Sequence, residues 1–140
     1  MKKRIVVVDG MGGGVGAQLI ERLRTSFGGK VEIIALGTNS TATERMLKAG
    51  ADRGASGENA ICVSVGSGFL VMGPIGAVIP NGMLGEITPA IAEAVLAASG
   101  DRILVPVAHD HFILAGLEPK SLNKFLDDAV AIALEKLGEV

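Results

Sequence analysis

Five glycines fall within the seven positions 10–16, directly after four β-branched residues and an aspartate, in the run IVVVDGMGGGVGAQL. A glycine gives up more backbone freedom on folding than any other residue. A cluster of them at the end of a buried strand has to serve something that approaches the backbone closely. Residues 5–8 read as that strand, and Val15, Leu19, Ile20, Leu23 and Phe27 then recur at helical spacing until Gly28 and Gly29 stop the helix. A strand that turns through glycine into a helix points the helix's first N–H groups, and the positive end of its dipole, at an anion. Asp9, Gly10, Met11, Gly12, Gly13, Gly14, Val15 and Gly16 are therefore candidates for holding a phosphate. The alternative is a tight turn with close helix packing, for which one or two glycines would suffice.

The alternation continues down the chain. Residues 31–36 read as a second strand; Thr41 and Glu44 form a capping box that opens a helix closed by Gly50. Residues 51–57 leave room for a very short strand, 58–65 for a helix, and 69–72 for a buried strand running into Gly73 and Pro74. Thr88 before Pro89 starts a helix that extends to Gly100. Strands are predicted at 103–107 and 112–115. Leu122, Phe125, Leu126, Ala129, Val130, Ala133, Leu134 and Leu137 then share one face of a last helix. The pattern predicts a single α/β domain over residues 1–140: a three-layer, Rossmann-like fold whose mostly parallel sheet of five to six strands carries helices on both faces. Ligands of such sheets bind beyond the carboxyl ends of the strands. The glycine cluster falls there, and so do Gly73, Pro74 and Ile75, as a second backbone loop facing the first across a cleft.

Composition removes several function classes. The net charge of −2, with no basic block, argues against nucleic acid as a partner. Residues 59–85 are uncharged and long enough to cross a bilayer, but Pro74, Pro80, Asn81 and six glycines interrupt them. That suits strands and turns, so no membrane partner is expected. The single cysteine fits a reducing, cytoplasmic setting, and Cys62, between Ile61 and Val63, reads as a small core residue. With no Trp or Tyr and four Phe, the core has to be aliphatic.

The loop itself can be tested against known phosphate binders. A Walker A loop needs Lys-Ser or Lys-Thr after its last glycine, where this chain has Ala17-Gln18. Gly12, Gly14 and Ala17 fit a variant dinucleotide pattern. Gly10, Gly14 and Gly16 match the spacing of short-chain dehydrogenases and reductases, which the loop resembles, although a chain without tyrosine lacks their acid. The second strand ends in Gly37-Thr38-Asn39-Ser40 without a carboxylate. Thr38, Asn39 and Ser40, with Arg45, either hold a ribose 2′-phosphate, which points to NADP or another nucleotide as cofactor, or merely cap a helix. His109 and His111 flank Asp110 after the last sheet strand. They read as acid and base, as a small-molecule contact or as a polar surface turn, and two ligands do not close a metal site. Ser64, Ser67 and Glu86 have no base beside them in sequence, while Glu58, Asn59 and Glu86 fall near the same sheet edge.

Taken together, DGMGGGVG, ALGTNSTAT with MLKAGA, GENAI, GPIG and MLGEITP resemble, in order and over nearly the whole chain, a small bacterial family catalogued as domain of unknown function 3842. The resemblance implies a cytoplasmic Rossmann-like protein and names no reaction. Where similar sequences carry an Asn-Arg-Cys-like stretch after the fifth strand, this chain has Ala108-His109-Asp110-His111. Three functions stay open. The first is a stand-alone nucleotide- or dinucleotide-binding module that takes a small phosphorylated ligand as sensor or accessory subunit. The second is a small NADP-dependent or phosphorylated-metabolite enzyme using His109 and His111; the third is a structural subunit whose loop binds nothing. The uncharged apolar residues 69–84, followed by an alanine-rich helix, predict a homodimer.

Overall fold

In a computed structural model, residues 1–107 and 112–138 are described. Five strands, β1 (Arg4–Asp9), β2 (Glu32–Gly37), β3 (Arg53–Ser56), β4 (Leu70–Pro74) and β5 (Asp101–Val105), form one fully parallel sheet in the order β3-β2-β1-β4-β5. The helices are α1 (Gly14–Phe27), α2 (Ser40–Lys48), α3 (Glu58–Ser64), α4 (Pro89–Ala97) and α5 (Leu122–Leu137).

Because strand side chains alternate between faces, β1 splits its four apolar residues evenly. Ile5 and Val7 join Ile33, Ala35, Leu70, Met72, Ile103 and Val105 under α1, α2 and α5. Val6 and Val8 join Ile34, Leu36 and Val71 under α3 and α4, through Ile61, Val65, Ile91 and Val95. The sheet is buried on both faces, the Rossmann-like three-layer arrangement. Its order reverses direction between β1 and β4, the switch point at whose carboxyl ends ligands of such sheets bind.

Five expectations are corrected. The cap of α2 is Asn39, whose Oδ1 accepts from the Ala42 N–H at 2.8 Å, and not Thr41, which is exposed beyond the first helical residue. β5 begins two residues early and stops at Val105, because Pro106 has no N–H to continue the ladder; α4 likewise ends at Ala97, before Gly100. Residues 112–114 join no strand: Ile113 is 96% exposed, and the segment turns through a Leu117 N–H to Leu114 carbonyl bond. Cys62 is exposed, because a helix as short as α3 turns only Ile61 fully into the core.

The corrected cap gives a direct check. Asn39→Ala is expected to lower stability by about 1–2 kcal/mol, the cost of a lost helix cap. Thr41→Ala should stay within about 0.5 kcal/mol of the parent protein, as exposed substitutions do. Urea unfolding of the two variants separates them.

Candidate functional site

At the carboxyl end of β1 the chain buries an anion. Asp9 is 4% exposed; its Oδ1 accepts from the Gly10 N–H at 2.8 Å and its Oδ2 from the Gly16 N–H at 2.7 Å. One carboxylate thus ties both ends of the glycine loop. Burial pushes the Asp9 carboxyl above its ordinary range, and the nearby Glu86 charge adds to that rise; the two N–H groups and Arg45 pull the other way. Between these ties the loop turns through Met11 (φ 51°) and Gly13 (φ 73°), the latter capping α1.

The five glycines divide by what a side chain would meet. A Cβ on Gly10 would lie 2.7 Å from Thr38 Oγ1 and 2.8 Å from Met83 Sδ. On Gly13 it would lie 2.8 Å from the Ala42 backbone, and on Gly16 2.5 Å from Met46 Sδ. Packing within the protein demands these three. Gly12 and Gly14 are different: the nearest atom to a Cβ there is Arg45 Nη1, at 3.9 and 3.4 Å, on a side chain free to move. Neither has a positive φ. The fold has no use for glycine at those two positions.

They frame a cationic, hydrogen-bond-donating surface. Gly14 and Val15 are the first two residues of α1, and no described residue accepts from their N–H groups or from that of Gly12. Arg45, reaching over from α2, donates to the Gly12 carbonyl at 3.4 Å. Sequence reasoning assigned Arg45 to the end of β2; the structure lays it over the glycine loop.

The end of β2 holds a second surprise. It lacks a carboxylate of its own, yet Glu86 brings one from 48 residues away. Glu86 Oε1 accepts from Thr38 Oγ1 at 2.5 Å, from Asn39 Nδ2 at 2.8 Å and from the Met11 N–H at 2.9 Å. The Thr38 hydroxyl, then the Met11 and Asn39 donors, hold the Glu86 carboxyl below its ordinary value against a modest desolvation. Thr38 and Asn39 are therefore tied into the protein, Asn39 also through its cap and a 3.0 Å bond to the Met11 carbonyl, while Ser40 is an exposed first residue of α2. The clue in the sequence was that Glu86 ends the long uncharged stretch.

The other candidates spread out. Gly73 and Pro74 end β4, both buried, and Ile75 opens the helical turn that follows; glycine is required at position 73 because a Cβ there would collide with the Val8 carbonyl oxygen. Glu58 and Asn59 are exposed after β3, two strands away. Ser64 and Ser67 lie at the opposite edge, before β4, where they line a concavity of about 360 Å³ with Arg4, Arg53 and the β2–β3 face. That concavity shares no residue with the glycine loop, and the loop is the candidate site because Gly12, Gly14 and Arg45 meet there. His109 and His111 lie outside the described residues. Among the described residues, no three His, Cys, Asp or Glu converge as for a metal, and no helix is long and apolar enough to cross a membrane.

The division of the glycines is open to test by thermal and urea unfolding. Gly16→Ala and Gly10→Ala should each cost about 1–3 kcal/mol through overpacking, whereas Gly12→Ala and Gly14→Ala should leave stability unchanged or raise it by up to about 1 kcal/mol. Asp9→Asn should cost about 1–3 kcal/mol, since an amide NH₂ would face one of the two N–H groups.

Comparison with known proteins adds the following. No curated protein matches the sequence. Among solved structures, a dodecameric FMN-dependent UbiX-like decarboxylase from Escherichia coli O157:H7 superimposes with a TM-score of 0.48 at 16% identity, over 98% of this chain and 94% of that one. A family profile matches residues 4–138, nearly the whole chain and every loop described above, and so the protein belongs to the family described as domain of unknown function DUF3842.

Proposed function

We propose that the protein is a nucleotide-binding module whose glycine loop holds a phosphate group. One observation carries the reading: Gly12 and Gly14 are glycine without an internal reason. They sit where unclaimed N–H groups of a helix N-terminus meet the guanidinium of Arg45. A phosphate seated there would accept from the Gly14 and Val15 N–H groups and pair with Arg45 in a charge-assisted contact. Side chains at positions 12 and 14 would occupy its place. The Asp9 carboxylate already uses the Gly16 N–H, so the ligand is left the first two N–H groups of α1, those of Gly14 and Val15.

A homodimer remains part of this reading, on different ground from the sequence. Most of residues 75–84 pack within the chain, leaving Leu84 at 93% exposure, whereas Ile113, Leu114 and Leu117 stand exposed after β5 and suit cover by a second copy.

A ligand present at 100 times its Kd adds about 2.7 kcal/mol, enough to raise the melting temperature of a domain this size by a few degrees. Thermal melts with ADP, ADP-ribose, FMN and inorganic pyrophosphate are expected to show that rise for at least one. Gly14→Val and Arg45→Gln should remove it while the unliganded protein melts as before. Absence of any rise overturns the phosphate reading. Sedimentation at micromolar protein is expected to give a dimer that Ile113→Asp dissociates; a 14 kDa species in the parent protein refutes the assembly.

A further inference from the structure

We infer that Glu86 reads the ribose of the bound nucleotide and confines the site to ligands whose 2′- and 3′-hydroxyls are both free. This rests on the nucleotide reading above and narrows its ligand class.

The carboxyl group is fixed in place by donors from two loops, Met11 after β1 and Thr38 with Asn39 after β2. In a parallel sheet of this strand order, a ribose attached to a phosphate on the first βα loop lies over the gap between those same two strands. A carboxylate there accepts from the diol. Here β2 supplies no acid, and Glu86 fills the position from the segment between β4 and α4. All three donors converge on Oε1, and among the described residues none reaches Oε2. The residue is only partly buried, and Oε2, with no donor among the described residues, is the acceptor left for an incoming hydroxyl.

The loop that carries Glu86 is stiff. Asn81 donates to the Ile87 carbonyl at 2.7 Å, the Ile87 N–H returns to Gly82 at 3.1 Å, and the Glu86 N–H donates to Met83 at 3.1 Å. Asn81, Met83 and Leu84 hold φ values of 64°, 54° and 56°. Met11, the other described non-glycine residue with positive φ, lies on the loop that Glu86 touches. Such conformations persist where the surrounding structure over-determines them, and they cluster at ligand sites. Charge settles the specificity. A carboxylate welcomes two hydroxyl donors and repels a 2′-phosphate, and the guanidinium that could offset the repulsion stands over Gly12 and Gly14 instead.

The experiment is calorimetric titration of the full chain at neutral pH with ADP-ribose, its 2′-phosphorylated form and FMN. The parent protein is expected to bind ADP-ribose at least about tenfold more tightly than the 2′-phosphorylated form, the range of a hydrogen bond to a charged group. Glu86→Gln keeps an oxygen for the three donors and removes the charge; it should weaken ADP-ribose about tenfold and reduce the preference to about twofold. Equal affinities in the parent protein overturn the assignment even without the variant. A preference that survives in Glu86→Gln, or tighter binding of both ligands by the variant, also overturns it. FMN binding without ADP-ribose binding keeps the phosphate reading and refutes this one; binding of none of the three, with no melting rise from pyrophosphate, refutes both.

Discussion

The carboxylate of Asp9 is the constraint on which the site depends. Buried to 4% exposure, it is satisfied by two backbone N–H groups one and seven residues away. Those bonds draw the start of α1 back over the end of β1. That closeness makes Gly16 obligatory, since its Cα then faces both Asp9 and Met46. It also packs α2 against the loop at Ala42, which forces glycine at position 13 and lays Arg45 across positions 12 and 14. Asp9 takes one helix N-terminal amide that an external anion would otherwise use. It leaves the first two, and Arg45 counters the charge that Asp9 adds.

Much of the fold was legible because buried parallel strands read as apolar runs and glycines or caps punctuate the helices between them. β1, β2, β4, α1 and α5 followed from that pattern. β5 was displaced because its first two residues, Asp101 and Arg102, are exposed at the sheet edge and carry no apolar signal. The α2 cap was misplaced because Asn39 and Thr41 both suit an N-cap, and the choice lies in backbone geometry: Asn39 is extended, at φ −142° and ψ 165°. Cys62 has apolar neighbours on both sides, a pattern that cannot tell strand from helix over seven residues.

The site was half legible. The glycine cluster marked the right loop, but counting glycines could not separate Gly10, Gly13 and Gly16, which packing demands, from Gly12 and Gly14, which it does not. That distinction depends on Thr38, Met83, Ala42 and Met46, residues 28 or more positions away in sequence from the glycines they meet. Glu86 was harder still. No local pattern announces that a carboxylate after Gly85 will cross to the loops following β1 and β2; the sheet order and the self-bonded loop carry it there.

Two carboxylates within one site are thereby given opposite environments. Asp9 is buried, and desolvation favours its neutral form; its folded-state pKa lies above the ordinary 3.8, so its ionisation lowers stability as pH rises through the interval between the two. Glu86 is partly open and held ionised chiefly by the Thr38 hydroxyl. Its pKa lies below the ordinary 4.5, so its contribution is full above that value and lost as pH falls through the depressed one. The buried acid tolerates its cost because it fixes the loop. The open acid retains its charge where a ligand arrives. Environments that push two carboxyl groups apart in this way assign them different roles, and here the division falls between holding the protein together and reading what it binds.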